Sequence, residues 1–190
     1  MSICDLRRVF DVLASVVAIV ALCPVMLVVA ALVLGGLGRP ILFRQNRVGL
    51  HGKEFRIFKF RTMRPPRYPG QPDRERETRL GRVLRVTSLD ELPQLLNIVR
   101  GDMGTIGPRP TLPDQVRHYD ARQRGRLAVR PGLTGWAQVN GRNTLSWPER
   151  IELDLWYIEN RDWALDARIL VITLGRLVRP RGIVEREQAA

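Results

Sequence analysis

The chain has 190 residues, with 31 basic against 19 acidic side chains and a formal charge of +12. That length fits one domain with an appended element, and the charge favours anionic partners: nucleic acid, anionic lipid or phosphorylated substrates. Two cysteines outside any CxxC pair and two histidines argue against a disulfide framework, a zinc site or a histidine-based triad. Of the basic residues only Lys53 and Lys59 are lysines. The rest are arginines, whose planar fork grips phosphate in bidentate fashion. A GC-rich genome produces the same excess, so composition alone does not identify the ligand.

The run Val12 to Leu34 carries no charge. As a helix it would be about 34 Å long, against a hydrocarbon core of about 30 Å. It is too long for the apolar core of a secretory signal, and Gly35 to Pro40 reads as a turn rather than a cleavage site. Pro24 lies mid-run, where it removes a backbone hydrogen bond and bends a helix. Asp11 is placed to pair with Arg7 or Arg8. Basic residues flank both ends, Arg7 and Arg8 before and Arg39, Arg44 and Arg47 after. The positive-inside rule assigns both flanks to the cytoplasmic side. Hydropathy admits a spanning helix equally with one that enters and returns on one face, turning at Cys23-Pro24.

Ile41 to Phe43 and Glu54 to Phe60 read as short strands around a Gly49-Leu50-His51-Gly52 turn. Prolines and Gly70 make Arg64 to Asp73 an irregular loop. Leu92, Leu95, Leu96 and Val99 share one helical face, and Gly101 stops that helix. Asp114 to Arg126 is polar and predicted helical, and Pro131, Gly132 and Gly135 mark a loop. Pro148 to Arg161 predicts a helix with Ile151, Leu155 and Ile158 on one side. Ala164 to Val178 predicts another, suited to the core or to a membrane surface.

Ser88-Leu89-Asp90-Glu91-Leu92-Pro93 opens a helix. Asp90 serves there as an N-cap or as an ionised, rigid nucleophile, with Glu91 available to bind a cation or move a proton. Capping accounts for one acidic residue; two adjacent carboxylates repel each other, and Arg82, Arg85, Arg100 and Arg109 flank them in sequence. Gly107-Pro108-Arg109-Pro110 presents an arginine from a stiff backbone. In the block from Arg130 to Asn143, glycines allow close approach to a ligand, Arg142 suits phosphate oxygens, and Trp136 stacks on a base or packs in the core. There is no Walker A or Rossmann glycine pattern.

These motifs, taken in order from Arg7-Arg8-Val9-Phe10-Asp11 through Phe43-Arg44-Gln45-Asn46-Arg47, Phe58-Lys59-Phe60-Arg61-Thr62-Met63, the Asp90-Glu91 segment, Gly107-Pro108-Arg109-Pro110 and the Arg130 to Asn143 block to Glu152-Leu153-Asp154 and Tyr157, resemble the small monotopic phosphoglycosyl transferases of the bacterial sugar transferase family. The chain departs from the family where Cys23-Pro24 replaces the usual Ser-Pro. The resemblance implies an α+β, mostly helical fold. A re-entrant membrane helix over 1–40 precedes a small catalytic domain over 41–179, with a minor β element and interfacial helices, and a tail over 180–190. It implies a place in the bacterial inner membrane, with the catalytic domain on the cytoplasmic face and membrane lipid as a partner. By the same resemblance, Asp90 attacks the β-phosphate of a UDP-sugar, UMP leaves, and undecaprenyl phosphate takes the sugar-1-phosphate from Asp90. Mg²⁺ is implied on Asp90 and Glu91, and Glu91 is implied to help activate the acceptor. Arg85, Arg109 and Arg142 are implied to hold phosphates, and Lys59 and Arg61 to meet lipid headgroups and the lipid phosphate. A membrane-anchored protein whose basic domain binds nucleic acid or anionic lipid also accounts for the charge and the apolar run. It accounts for neither Asp90-Glu91 nor the Arg130 to Asn143 block, so no nucleic-acid partner is expected.

Overall fold

The computed structural model describes residues 3–141 and 144–178, so Arg142 and the tail lie outside the described residues. Helix α1, Ile3–Leu37, is followed by the antiparallel hairpin of β1, Leu42–Val48, and β2, Glu54–Phe60. The short helix α2, Asp73–Arg76, leads to α3, Arg79–Val86, which Thr78 caps by accepting from the Gly81 N–H. A 3-10 turn over Leu89–Gln94 runs directly into α4, Leu95–Arg100. Then come β3, Gly104–Ile106, α5, Pro113–Arg117, and a second 3-10 turn, Gln123–Ala128. β4, Gly132–Thr134, pairs in parallel with β3 and is followed by α6, Trp136–Asn140, α7, Trp147–Asn160, and α8, Trp163–Val178. The chain is thus mostly helical, with one long apolar N-terminal helix and two small sheets.

α1 does not stand apart from the rest. Arg8, Asp11, Ser15 and the Ala18-Ile19 pair, and then Met26, Val29, Val33 and Leu37, follow helical spacing with a seven-residue step between Ile19 and Met26 and form one stripe against the other elements. Val29 and Val33 join Phe60 and Leu84 in one apolar cluster. Ala18 and Ile19 pack on a second, made by Ile57, Leu95, Ile98 and Met103. The opposite side of the helix stays apolar and open, with Val17 68% and Val20 70% exposed. From Leu6 to Leu37, α1 is long and apolar enough to cross a membrane. Pro24 sits inside a single helical run and has no N–H to offer the Val20 carbonyl.

Polar clamps fix both ends of α1. Arg8 donates to the carbonyls of Ile98 at 2.6 Å and Val99 at 3.0 Å, the open C-terminal end of α4. Arg7 pairs with Asp166 of α8 at 3.2 Å, and Asp11 accepts from the Thr105 N–H at 3.0 Å. Asp11 therefore holds β3 rather than pairing with either neighbouring arginine. At the other end the Arg61 guanidinium donates to the carbonyls of Leu37, Gly38 and Arg39, closing the helix dipole with a cation.

Other expectations shift in detail. The first strand runs to Val48 because Phe43 to Arg47 pair with Lys59 to Phe55 across the whole hairpin. On α4 the buried residues are Leu95, Asn97 and Ile98, while Leu96 is 39% exposed. The sequence face fails because the 3-10 turn before α4 has a tighter pitch and changes the phase. Asn97 earns its burial by donating to the Arg56 carbonyl and accepting from the Phe58 N–H. Gly101 ends α4 at φ 95°, as its position predicts. The segment 114–126 holds the short helix α5 and the start of the second 3-10 turn rather than one continuous helix. The expected loop at 131–135 contains β4. Glycines are required there because the backbones of 104–107 and 132–135 nearly touch: a Cβ on Gly132 would lie 2.1 Å from the Gly107 nitrogen and 2.4 Å from the Thr134 oxygen. These glycines serve chain-to-chain approach rather than a ligand.

Candidate active site

The 3-10 turn starts at Ser88, which adopts a left-handed φ of 58° and makes no side-chain cap. A non-glycine residue is seldom held there, and such strain gathers at functional turns. Asp90 is not the cap. It lies within the turn, 7% exposed, and none of the described residues donates a hydrogen bond to its carboxylate. Burial and then the charge of Glu91 push Asp90 up to about 6, against the pull of Lys59, Arg109 and Arg85.

Glu91 has the opposite surroundings. Its Oε1 accepts from Lys59 Nζ at 2.6 Å and from Arg109 Nη2 at 3.0 Å. Burial alone would raise it, but the Arg109 and Lys59 charges outweigh burial and hold it well below the usual carboxylate range. Burial in turn lowers Lys59 below its ordinary value, with Glu91 offsetting part of the effect. The adjacent carboxylates are thus driven apart: one is ionised and bonded, the other is poised near neutrality and open to an incoming group.

Four cations surround the two carboxylates. Lys59 comes from β2 and Arg109 from the Pro108–Pro110 loop. Arg85 from α3 is steered by Thr62, whose Oγ1 accepts from its Nε at 3.1 Å, and lies 3.8 Å from Glu77. Arg47 of β1 is the residue that motif reading left without a role. Its Nη1 donates to the Pro110 carbonyl at 3.1 Å and its Nη2 to Gln45 at 2.6 Å. Burial, then the charge of Arg109, lowers it to about 10. The signal for it was present in the period of two along β1, which puts Gln45 and Arg47 on one face. With Glu77 beside Arg85, four cations face three carboxylates and still leave an excess of positive charge, suited to a diphosphate.

Lys59, Arg109 and Arg85 thus join Asp90 and Glu91, whereas Arg61 is committed to the end of α1. Cys23 and Pro24 lie on the exposed side of α1. Trp136 packs at 5.2 Å on Trp156 and beside Val139, Tyr157 and Ile169, so core packing accounts for it. Among the described residues no three His, Cys, Asp or Glu side chains gather as a metal cage. Mg²⁺ commonly binds through one or two carboxylates completed by substrate phosphates and water. Asp90, whose oxygens accept no hydrogen bond from the described residues, fits that role; Glu91 shares one oxygen between two cations and is the poorer ligand.

A family model described as bacterial sugar transferase matches residues 3–180. The chain is similar to EpsL of Bacillus subtilis (strain 168), an uncharacterized sugar transferase, with 44% identity over 181 residues that cover 94% of this chain and 90% of the relative. It is 39% identical over 186 residues to ExoY, an exopolysaccharide production protein of Sinorhizobium fredii (strain NBRC 101917 / NGR234), covering 87% and 81% of the two chains. It is 40% identical over 182 residues to the UDP-glucose:undecaprenyl-phosphate glucose-1-phosphate transferase of Xanthomonas campestris pv. campestris; that match covers 88% of this chain and 38% of the longer relative.

Proposed function

The chain belongs to the bacterial sugar transferase family, and from that premise we propose that it transfers a sugar-1-phosphate from a UDP-sugar to undecaprenyl phosphate, releasing UMP at the first membrane step of exopolysaccharide or related glycoconjugate assembly. The observation that carries the reading is the Asp90 carboxylate, buried and without a donor among the described residues, beside a Glu91 locked to Lys59 and Arg109. A carboxylate stripped of hydrogen bonds keeps its nucleophilicity.

In the first displacement an Asp90 oxygen forms a bond to the β-phosphorus while the bond from that phosphorus to the UMP oxygen breaks, and UMP carries away the electron pair. Arg109, Lys59 and Arg85 offset the charge that builds on the phosphoryl oxygens. In the second, an oxygen of undecaprenyl phosphate attacks the same phosphorus and Asp90 leaves as a carboxylate. Glu91, held ionised, is a weak base, so its part is to fix Lys59 and Arg109. Asp90 would hold Mg²⁺, which would supply further neutralisation of the phosphate charge. The residues of this chain supply the nucleophile, the cationic cradle and the membrane position.

The stripe along α1 supports a helix with both ends on one membrane face. α4 holds Arg8 near its start, and the cluster that joins Phe60 of β2 to Leu84 of α3 takes Leu37 at its end. If those elements lie on the cytoplasmic face, where nucleotide sugars are available, both ends of α1 lie there as well. The basic flanks agree with that side.

Purified protein in nanodiscs, given Mg²⁺, undecaprenyl phosphate and a panel of UDP-sugars, is expected to release UMP, and Asp90→Asn is expected to abolish release. Undiminished UMP release by the Asp90→Asn protein would remove Asp90 as the nucleophile. Folded, lipid-bound wild type that releases UMP from no donor in a complete panel would remove the reading itself.

A further inference from the structure

Arg126 and Asp154 form a buried ion pair, with side chains 3% and 2% exposed, yet neither touches the Asp90-Glu91 turn. Arg126 lies in the 3-10 turn Gln123–Ala128 and Asp154 in the middle of α7. Asp154 Oδ2 accepts from Arg126 Nε at 3.0 Å and Nη2 at 2.5 Å. The guanidinium carbon lies 5.2 Å from the ring centre of Trp147 and 5.7 Å from that of Tyr119, which fixes its orientation.

The remaining donors of Arg126 lead to the loop that carries Arg109. Nη1 donates to Thr111 Oγ1 at 3.1 Å and to the Tyr119 hydroxyl, and Nη2 approaches the Arg109 carbonyl at 3.5 Å. The Tyr119 hydroxyl donates to Thr111 Oγ1 at 3.1 Å. From the other side the hairpin holds the same loop: Val48 N–H donates to the Thr111 carbonyl at 2.9 Å and Arg47 to the Pro110 carbonyl. The loop is pressed between the two supports with a gap of about 10 Å³ behind it, no more than one water. Arg109 projects from this clamped segment to reach Glu91 at 3.0 Å.

A buried ion pair is weak support for stability, because desolvating both charges offsets much of their attraction and apolar replacements often hold as well. Stability alone therefore does not account for a charged strut here. We propose that Asp154 and Arg126 are positioning residues that set the Arg109 guanidinium for phosphate binding, acting through Thr111 and the Arg109 carbonyl. The proposal deepens the transferase reading and rests on it for its kinetic arm only.

The kinetic arm is a double-mutant cycle on UMP release, with wild type, Asp154→Asn, Arg109→Ala and the double variant. Displacing a phosphate-binding group by about 1 Å costs roughly 100-fold in rate. Asp154→Asn is therefore expected to lower kcat/KM by about 10- to 100-fold, while in the Arg109→Ala background it costs less than about 3-fold. The same loss in both backgrounds would overturn the proposal, since a merely structural role does not depend on Arg109. Should Asp154→Asn not fold, Thr111→Val removes only the hydroxyl link and enters the same cycle with the same expectations. A second arm needs no substrate: hydrogen exchange in peptides over 107–112 is expected to quicken at least 10-fold in the variant, with α7 and the hairpin unchanged. Quickening spread evenly over α7 and the hairpin, or none in 107–112, would overturn it. If wild type releases no UMP, the transferase reading falls, and the exchange result still decides whether the strut holds the loop.

Discussion

Burial and Glu91 raise Asp90 from 3.8 to about 6, so the ionised carboxylate is disfavoured in the fold relative to the unfolded chain. Below pH 3.8 both states hold the proton and nothing is lost. As pH rises from there towards 6 the unfolded chain releases its proton first, and stability falls; above 6 the loss levels off at about 3 kcal/mol. Asp90→Asn should therefore raise the melting temperature by several degrees at pH 7.5, with the gain shrinking to nothing near pH 4, as read by thermal unfolding across that range. A nucleophile must be ionised, so kcat/KM for UMP release should fall on the acid side with a limb near pH 6. A limb near pH 4 would show that the site does not desolvate Asp90. Asp90 and Glu91 were both legible as a pair in the sequence. Their opposite electrostatic states were not, because Lys59 and Arg109 reach Glu91 from segments 32 and 18 residues away.

At the level of elements, the glycines in β3, β4 and their flanks separate two kinds of requirement. Gly132 has backbone within 2.1 Å of where a Cβ would stand, whereas Gly175 in α8 has nothing within 4 Å. Gly132→Ala should thus cost about 3 kcal/mol or more, or prevent folding. Gly175→Ala should gain up to about 1 kcal/mol through helix propensity. Chemical unfolding of the pair checks both signs. Local patterns announced the hairpin, the stop at Gly101 and α7, whose start is closed by a reciprocal Ser146 and Glu149 capping box. They did not announce the pairing of β3 with β4. Each strand is three residues long, and its identity is set by a partner far along the chain rather than by its own periodicity. The role that the resemblance implies for Arg61 is at lipid; its sequence did not announce that three carbonyls at the end of α1 take its guanidinium.

For the whole molecule, hydropathy does not separate an apolar helix that spans from one that returns, and only the resemblance implied that it returns. The contact stripe bears on it because it runs from one end of α1 to the other. Single cysteines replacing Ser2 and Arg39, in a background lacking Cys4 and Cys23, should both react with an impermeant maleimide in inverted vesicles and neither in right-side-out ones. Labelling of one from each side would mean a spanning helix. The same stripe changes what kind of object the membrane helix is. Val29 and Val33 complete a cluster with Phe60 and Leu84, and Ala18 and Ile19 cover Ile57 and Ile98. The helix is therefore part of the interior on one side and presents an exposed apolar face on the other. With that face in a bilayer, as the proposed function requires, lipid composition and thickness would act on the same free-energy balance that assembles Asp90, Lys59 and Arg109, and the bilayer would be a folding partner of the candidate site rather than the surface to which it is tied.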